Sequence, residues 1–206
     1  MSMFGQKKMK NALKLRYFGD PVLAAKAKEI PEITDEIRSL AADMLEMMYE
    51  KNGIGLAGNQ VGIPQKIVVI DIEPPEDEDG NPLPLTTPGE MELLPKMPIA
   101  LINPKILSTS DDLTDFDEGC LSVPKLYANV KRPSRVVLQT QLIDGTTLTA
   151  ECGGLLARVL QHELDHLDGI VFVQKADEAD YKEIQAGVEK LIRKNGPRGF
   201  QVRRLV

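Results

Sequence analysis

Only two cysteines and two histidines occur among 206 residues. Two cysteines exclude a disulfide framework, and in a reducing compartment Cys120 and Cys152 are buried thiols, metal ligands or nucleophiles. No stretch approaches the roughly 18 apolar residues of a membrane span. The first ten residues, MSMFGQKKMK, carry charge with no apolar run behind it, so no secretory leader is expected and the setting is cytoplasmic. There is no internal repeat. What remains is a globular composition, 42% hydrophobic and 27% charged, whose length suits a single domain over 1–206.

The net charge of -6 is unevenly placed. Residues 73–98 hold Glu73, Glu76, Asp77, Glu78, Asp79, Glu90 and Glu92 against Lys96, and they also hold seven of the fourteen prolines. An exposed acidic insertion with little regular structure is expected there. The ends are basic: Lys7, Lys8, Lys10, Lys14 and Arg16 precede the first acid, and a basic tail over 195–206 follows the last predicted helix. Lys and Arg clusters neutralise phosphates, so docking to ribosomal RNA is one reading of that tail and a solvated, frayed end is the other. No membrane or DNA partner is expected.

Apolar spacing predicts a helix over about 35–50, capped by Thr34 and followed by Gly53. GIGLAGNQVG, residues 53–62, reads as an ordered loop or short strand, and 66–72 as a buried strand. Short strands are expected at 99–102, 105–110 and 113–117, with a hairpin joining 136–143 to 146–152 through Asp144-Gly145. A helix over 155–168 stops at Gly169, and a last helix covers about 177–194. The expected class is α+β: short antiparallel strands around a central helix, with an N-terminal and a C-terminal helix.

That central helix carries His162-Glu163-Leu164-Asp165-His166, an H-E-x-x-H pattern. Four-residue spacing aims both imidazoles at one point, where a divalent ion can take two nitrogens, and sets Glu163 beside the ion as a general base. At about 100° per residue, Leu155, Val159, His162 and His166 share one face, whereas Arg158, Gln161, Asp165 and Asp168 form the polar remainder. No third histidine exists, and Phe172 stands where a longer zinc-protease motif needs one. The third ligand is therefore a carboxylate or a cysteine, with Cys120 in Glu118-Gly119-Cys120-Leu121-Ser122 and Cys152 both open. A zinc endopeptidase with a carboxylate ligand shares the H-E-x-x-H pattern.

GIGLAGNQ (53–60), EGCLS (118–122) and QHELDH (161–166), in this order, resemble the three signature motifs of peptide deformylase, with similarity over roughly 12–195. The resemblance implies a metal-dependent hydrolase that removes the formyl group from the N-terminal formyl-methionine of new proteins and releases formate. It implies Cys120, His162 and His166 as ligands, Glu163 as base, and Gln60 with the backbone N–H of Leu121 as holders of the substrate carbonyl oxygen. It further implies close peptide approach at Gly53, Gly55 and Gly119, and a methionine pocket lined by Ile54, Leu155, Val159 and His162. Ferrous iron (Fe2+) is the implied cellular metal, with zinc, nickel or cobalt (Zn2+, Ni2+, Co2+) expected in purified protein. Arg132 and Asp165 match positions that pair near the metal. One departure is Gly58, where the family usually has alanine.

Overall fold

The structure, a computed structural model, describes residues 13–205. Lys7, Lys8 and Lys10 of the basic amino end lie outside the described residues. Helix α1 (Asp35–Glu50) forms where its periodicity places it, with Asp35 and Glu36 in the first turn complementing the helix dipole. Thr34 takes the N-cap position without a side-chain capping bond. The glycine-rich motif becomes strand β1 (Gly55–Ala57) and a single 3-10 turn over Gly58–Val61. Strand β2 (Ile67–Ile70) follows, then helix α2 (Pro88–Leu93) and strand β3 (Ile99–Thr109). Next come β4 (Leu113–Cys120), β5 (Val123–Pro133), β6 (Val136–Leu142) and β7 (Thr147–Cys152). Helices α3 (Gly154–Leu167) and α4 (Glu178–Asn195) close the order. This is an α+β arrangement of helices and antiparallel sheets.

Five strands form one antiparallel sheet in the order β1-β2-β3-β6-β7, and β4 pairs only with β5. All four residues of β2 are buried because both faces of the sheet are covered. Leu40, Met44 and Met48 of α1 pack with Ile67, Val69, Ala100 and Ile102 on one side. Ala157, Leu160 and Leu164 of α3 pack with Val68, Ile70, Leu101 and Leu138 on the other. Each fully buried leucine or methionine contributes about 1.5 to 3 kcal/mol relative to exposure.

Three expectations are corrected and one strand is new. The segment 73–98 is exposed only in its first part: Thr87, Gly89, Glu90, Leu93 and Leu94 are buried. A capping box explains this, since the Glu90 carboxylate accepts the Thr87 N–H (2.9 Å) and faces the Thr87 hydroxyl (2.7 Å), nucleating α2 against the end of β7. Strand β5 has no clear sequence signal, because Pro124 and Lys125 break the alternation after Val123 and a charged residue, Arg132, takes an inward position beside Ala128 and Val130. The separate strands expected at 99–102 and 105–110 are one strand with register shifts along its pairing to β6. Finally, the basic end is docked rather than frayed. The Leu205 N–H donates to the Gln174 carbonyl at 2.8 Å, Phe200 meets Phe18 edge to face, and the Arg204 guanidinium lies 3.9 Å from the Tyr181 ring centre. Among the described residues, no helix is long and apolar enough to cross a membrane.

Candidate metal centre and active site

Helical spacing brings His162 and His166 together, with ring centres 5.0 Å apart. Cys120 reaches them from the end of β4, where a register shift at the Gly119/Cys120 junction turns the strand. The Cys120 Sγ lies 3.2 Å from His166 Nε2, and one ligand atom from each of the three residues falls within 4.8 Å of the others. Cys152 is excluded from the cluster: it is buried at the end of β7, against Gly89 of α2. Burial, with Glu90 and Glu151 nearby, pushes its thiol up to about 12.

Beneath the cluster runs a chain of charges. Glu118 is buried, and burial alone would raise its pKa. The Arg132 hydrogen bonds and His162 outweigh that, holding the carboxyl well below the usual carboxylate range. Arg132 donates Nε to Glu118 Oε1 at 2.6 Å, Nη2 to Oε2 at 2.8 Å, and Nη1 to Asp165 Oδ2 at 2.7 Å. Lys175 donates to the other Asp165 oxygen at 2.7 Å. The expected pairing of Arg132 with Asp165 is thus present, as one link in a longer chain. Glu118 Oε2 lies 2.9 Å from His162 Nδ1; an ionised carboxylate accepts, so Nδ1 carries the hydrogen and Nε2 is left for ligation.

The donor set suits a cation. Burial would lower the His162 pKa, but hydrogen bonds to Cys120 and Glu118 and the charges of Cys120 and Glu163 hold it well above the ordinary imidazole value. A place that favours a proton there favours a metal ion in its stead. Burial, then the charges of His162 and Arg132, hold His166 well below that value, in the neutral form that ligates. Burial also raises the Glu163 carboxyl to about 7, with His162 and Arg132 opposing and Glu118 reinforcing. Its Oε2 is buried without a hydrogen-bond partner among the described residues. Its Oε1 explains Gly55, where a Cβ would lie 2.5 Å away.

Gln60 is anchored from behind: the Ala57 N–H donates to its Oε1 at 2.8 Å, so its Nε2 points at Ser122 Oγ (3.2 Å) and Cys120 Sγ (3.4 Å). Gln60, Glu118, Cys120, His162 and Glu163 border a cavity of about 610 Å³. Gly53, Ile54, Gly55, Gly119, Leu121, Leu155 and Val159 line it as well. Ile54 and Leu155 stand at its rim, 48% and 45% exposed, while Val159 is buried.

Phe116, Tyr127 and Arg158 are among the wall residues that no sequence motif marks. Arg158 and Gln161 belong to the polar remainder of the helix, yet both are buried. The covering element is the β4–β5 hairpin, to which Gln161 donates at the Pro133 carbonyl. No local pattern announces such a partner.

A thiol and two imidazoles around one point, beside a buried carboxylate and an open cleft, define a metal-dependent hydrolase. Residues 12–182 match the family described as Polypeptide deformylase. Peptide deformylase 2 of Gloeobacter violaceus is 44% identical over 172 residues, which are 84% of this chain and 83% of that protein. The peptide deformylase of Acinetobacter baumannii is 38% identical over 187 residues, 91% of this chain and 96% of that one. A solved peptide deformylase from Synechococcus elongatus, in complex with actinonin, matches with a TM-score of 0.70 at 37% identity, covering 96% of this chain and 92% of that one. The chain belongs to the polypeptide deformylase family. Its reaction is the hydrolytic removal of the formyl group from the N-terminal formyl-methionine of newly made proteins, with release of formate.

Proposed function

We propose that Cys120, His162 and His166 hold Fe2+, and that the chain acts as one catalytic domain in the cytoplasm on formylated peptides as they are made. The observation that carries this reading is the convergence of the three ligand atoms beside Glu163. When bound, such an ion supplies Lewis acidity and lowers the pKa of water from 15.7 towards about 7. Glu163, raised to about 7 by burial, takes the proton from water and passes one to the departing amine. Gln60 Nε2 and the Leu121 N–H hold the formyl oxygen as charge grows on it, and losing one such donor costs about 2.7 to 4 kcal/mol of barrier.

The peptide enters extended. β1 ends the five-stranded order and β4 has β5 as its sheet partner, so Gly53, Gly55 and Gly119 leave strand edges for it to pair with. Its methionine side chain lies among Ile54, Leu155, Val159 and His162. The basic carboxyl end contacts ribosomal RNA, a point tested by co-sedimentation with ribosomes of a chain truncated before Lys190; unchanged binding removes it.

Cys120→Ser and, separately, Glu163→Gln abolish formate release from formyl-Met peptides. Full turnover by either variant overturns the mechanism, and retained metal and activity in Cys120→Ser would favour a carboxylate-ligated endopeptidase instead. Metal analysis of protein purified without oxygen identifies the ion.

A further inference from the structure

The guanidinium of Arg158 is the most heavily engaged side chain that the mechanism leaves unused. It projects from α3 one turn before His162, on the face turned toward the hairpin. Its Nη1 donates to Glu118 Oε1 at 3.0 Å and to the Val130 carbonyl of β5 at 2.7 Å. Its Nη2 donates to the Thr114 carbonyl and hydroxyl of β4 at 2.7 and 2.8 Å. Three elements therefore meet on one planar group: the helix that carries both histidines, the strand that ends in Cys120, and that strand's partner. The same guanidinium lies 5.8 Å from the ring centre of Phe116, and both residues border the active-site cavity.

We propose that Arg158 is a positioning residue that sets the reach of Cys120 toward the two histidines, acting through Glu118 and through its grip on both strands of the hairpin. The proposal rests on the ligand assignment above. The physical argument is one of geometry. β4 is exposed along most of its length and has no apolar face pressed on the core to fix its height above α3. Its partner β5 buries Val123, Ala128 and Val130 with Val171, Phe172 and Val188, but toward α3 the bonds are directional, and those of Arg158 are made to three separate points. A rigid fork is suited to that task because its donors are fixed relative to one another, whereas a lysine ammonium offers a single movable point. The Arg132 guanidinium holds the Glu118 carboxylate from the other side and gives its remaining bond to Asp165, while only its backbone carbonyl accepts from the Thr114 hydroxyl at 3.5 Å, so it does not duplicate the grip.

The test uses full-length protein loaded with cobalt(II), comparing the parent with Arg158→Met, Arg158→Lys and Thr114→Val. Arg158→Met is expected to release cobalt to a chelator about tenfold faster, the low end of what partners of ligand residues usually contribute. Its visible thiolate-to-cobalt absorption shifts. Its kcat for formyl-Met peptides falls about as much, with KM changed by less than about twofold. Arg158→Lys lies between the two. Thr114→Val, which removes an exposed hydroxyl that accepts from Arg158 and donates to the Arg132 carbonyl, follows the same direction with a smaller change and serves if Arg158→Met does not fold. Parental cobalt release and spectrum in Arg158→Met, or in Thr114→Val where Arg158→Met fails to fold, overturn the proposal. Cys120→Ser is measured alongside: retention of cobalt there overturns the ligand assignment itself, while parental behaviour confined to the Arg158 and Thr114 variants overturns the positioning role alone.

Discussion

Every residue of β2 is buried, whereas most of β4 faces solvent and Glu118 is its one fully buried residue. The five-stranded sheet is held by apolar packing on two faces, a non-directional force that tolerates small shifts. The β4–β5 hairpin is held to α3 by Arg132, Arg158 and Glu118, whose bonds are directional. A buried ion-pair network adds little net stability over well-packed apolar residues, but it imposes one geometry and penalises the loss of any member. Cys120, the ligand proposed above, sits on the second kind of support. In this molecule stability and precision of the site are thus supplied by different regions.

The contrast can be broken most forcefully at Arg132. Arg132→Met leaves Glu118 and Asp165 short of their shared cation, and breaking such a buried pair costs about 3 to 5 kcal/mol. In hydrogen-exchange measurements the loss should appear first as faster exchange across β4 and β5, with β2 and β3 still protected; uniform loss would erase the distinction. Leu160→Ala empties a fully buried position between α3 and the large sheet and is expected to cost about 2 to 5 kcal/mol in urea unfolding. Here protection should fall in the sheet and the hairpin together.

A smaller effect is expected at Gly58. A Cβ there would lie 2.6 Å from the carbonyl oxygens of both Ile63 and Gln65, which are backbone atoms with little room to move. Although alanine is usual at this place in the family, Gly58→Ala in this chain is expected to lose about 1 to 3 kcal/mol by overpacking. A thermal melt at or above the parent's midpoint would show that the turn over Gly58–Val61 relaxes freely.

The two cysteines report on the two regions with no mutation at all. In folded, metal-free protein at pH 8, Cys120 at the cavity should react with a thiol reagent while Cys152 stays unmodified until denaturant is added; mass spectrometry counts the labels. The raised Cys152 pKa also has a direction. Above its ordinary value of 9.0 the unfolded chain releases a proton that the folded chain keeps up to about 12, so this group's contribution to stability declines as pH rises through that window. Complete labelling of Cys152 at pH 8 would mean that β7 opens far more readily than its burial implies.

Helix α1, the buried strand β2, the hairpin turn at Asp144-Gly145 and the pairing of His162 with His166 were all legible, because each depends on residues close in sequence. Helical period, turn chemistry and four-residue spacing are local rules. Strand β5 and the partly buried insertion were not legible. β5 owes its pairing to β4, and α2 owes its burial to the end of β7. Gly55 was read as allowing close approach of a peptide; the atom it approaches in the folded chain is Glu163 Oε1.

By itself the amino-acid sequence determined that two imidazoles and a carboxylate share one helix, since an α-helix repeats the same geometry wherever it forms. Only the tertiary structure decided how a sulfur comes to join them. Spacing alone leaves Cys120 and Cys152 both open and the family resemblance points to Cys120, but the meeting itself is made by a hairpin that lies across the polar side of α3, where Glu118, Val130, Thr114 and Pro133 accept the hydrogen bonds that Arg158 and Gln161 would otherwise give to water. Charges buried that way require partners at fixed distances, and such distances exist only once strands remote in sequence have met.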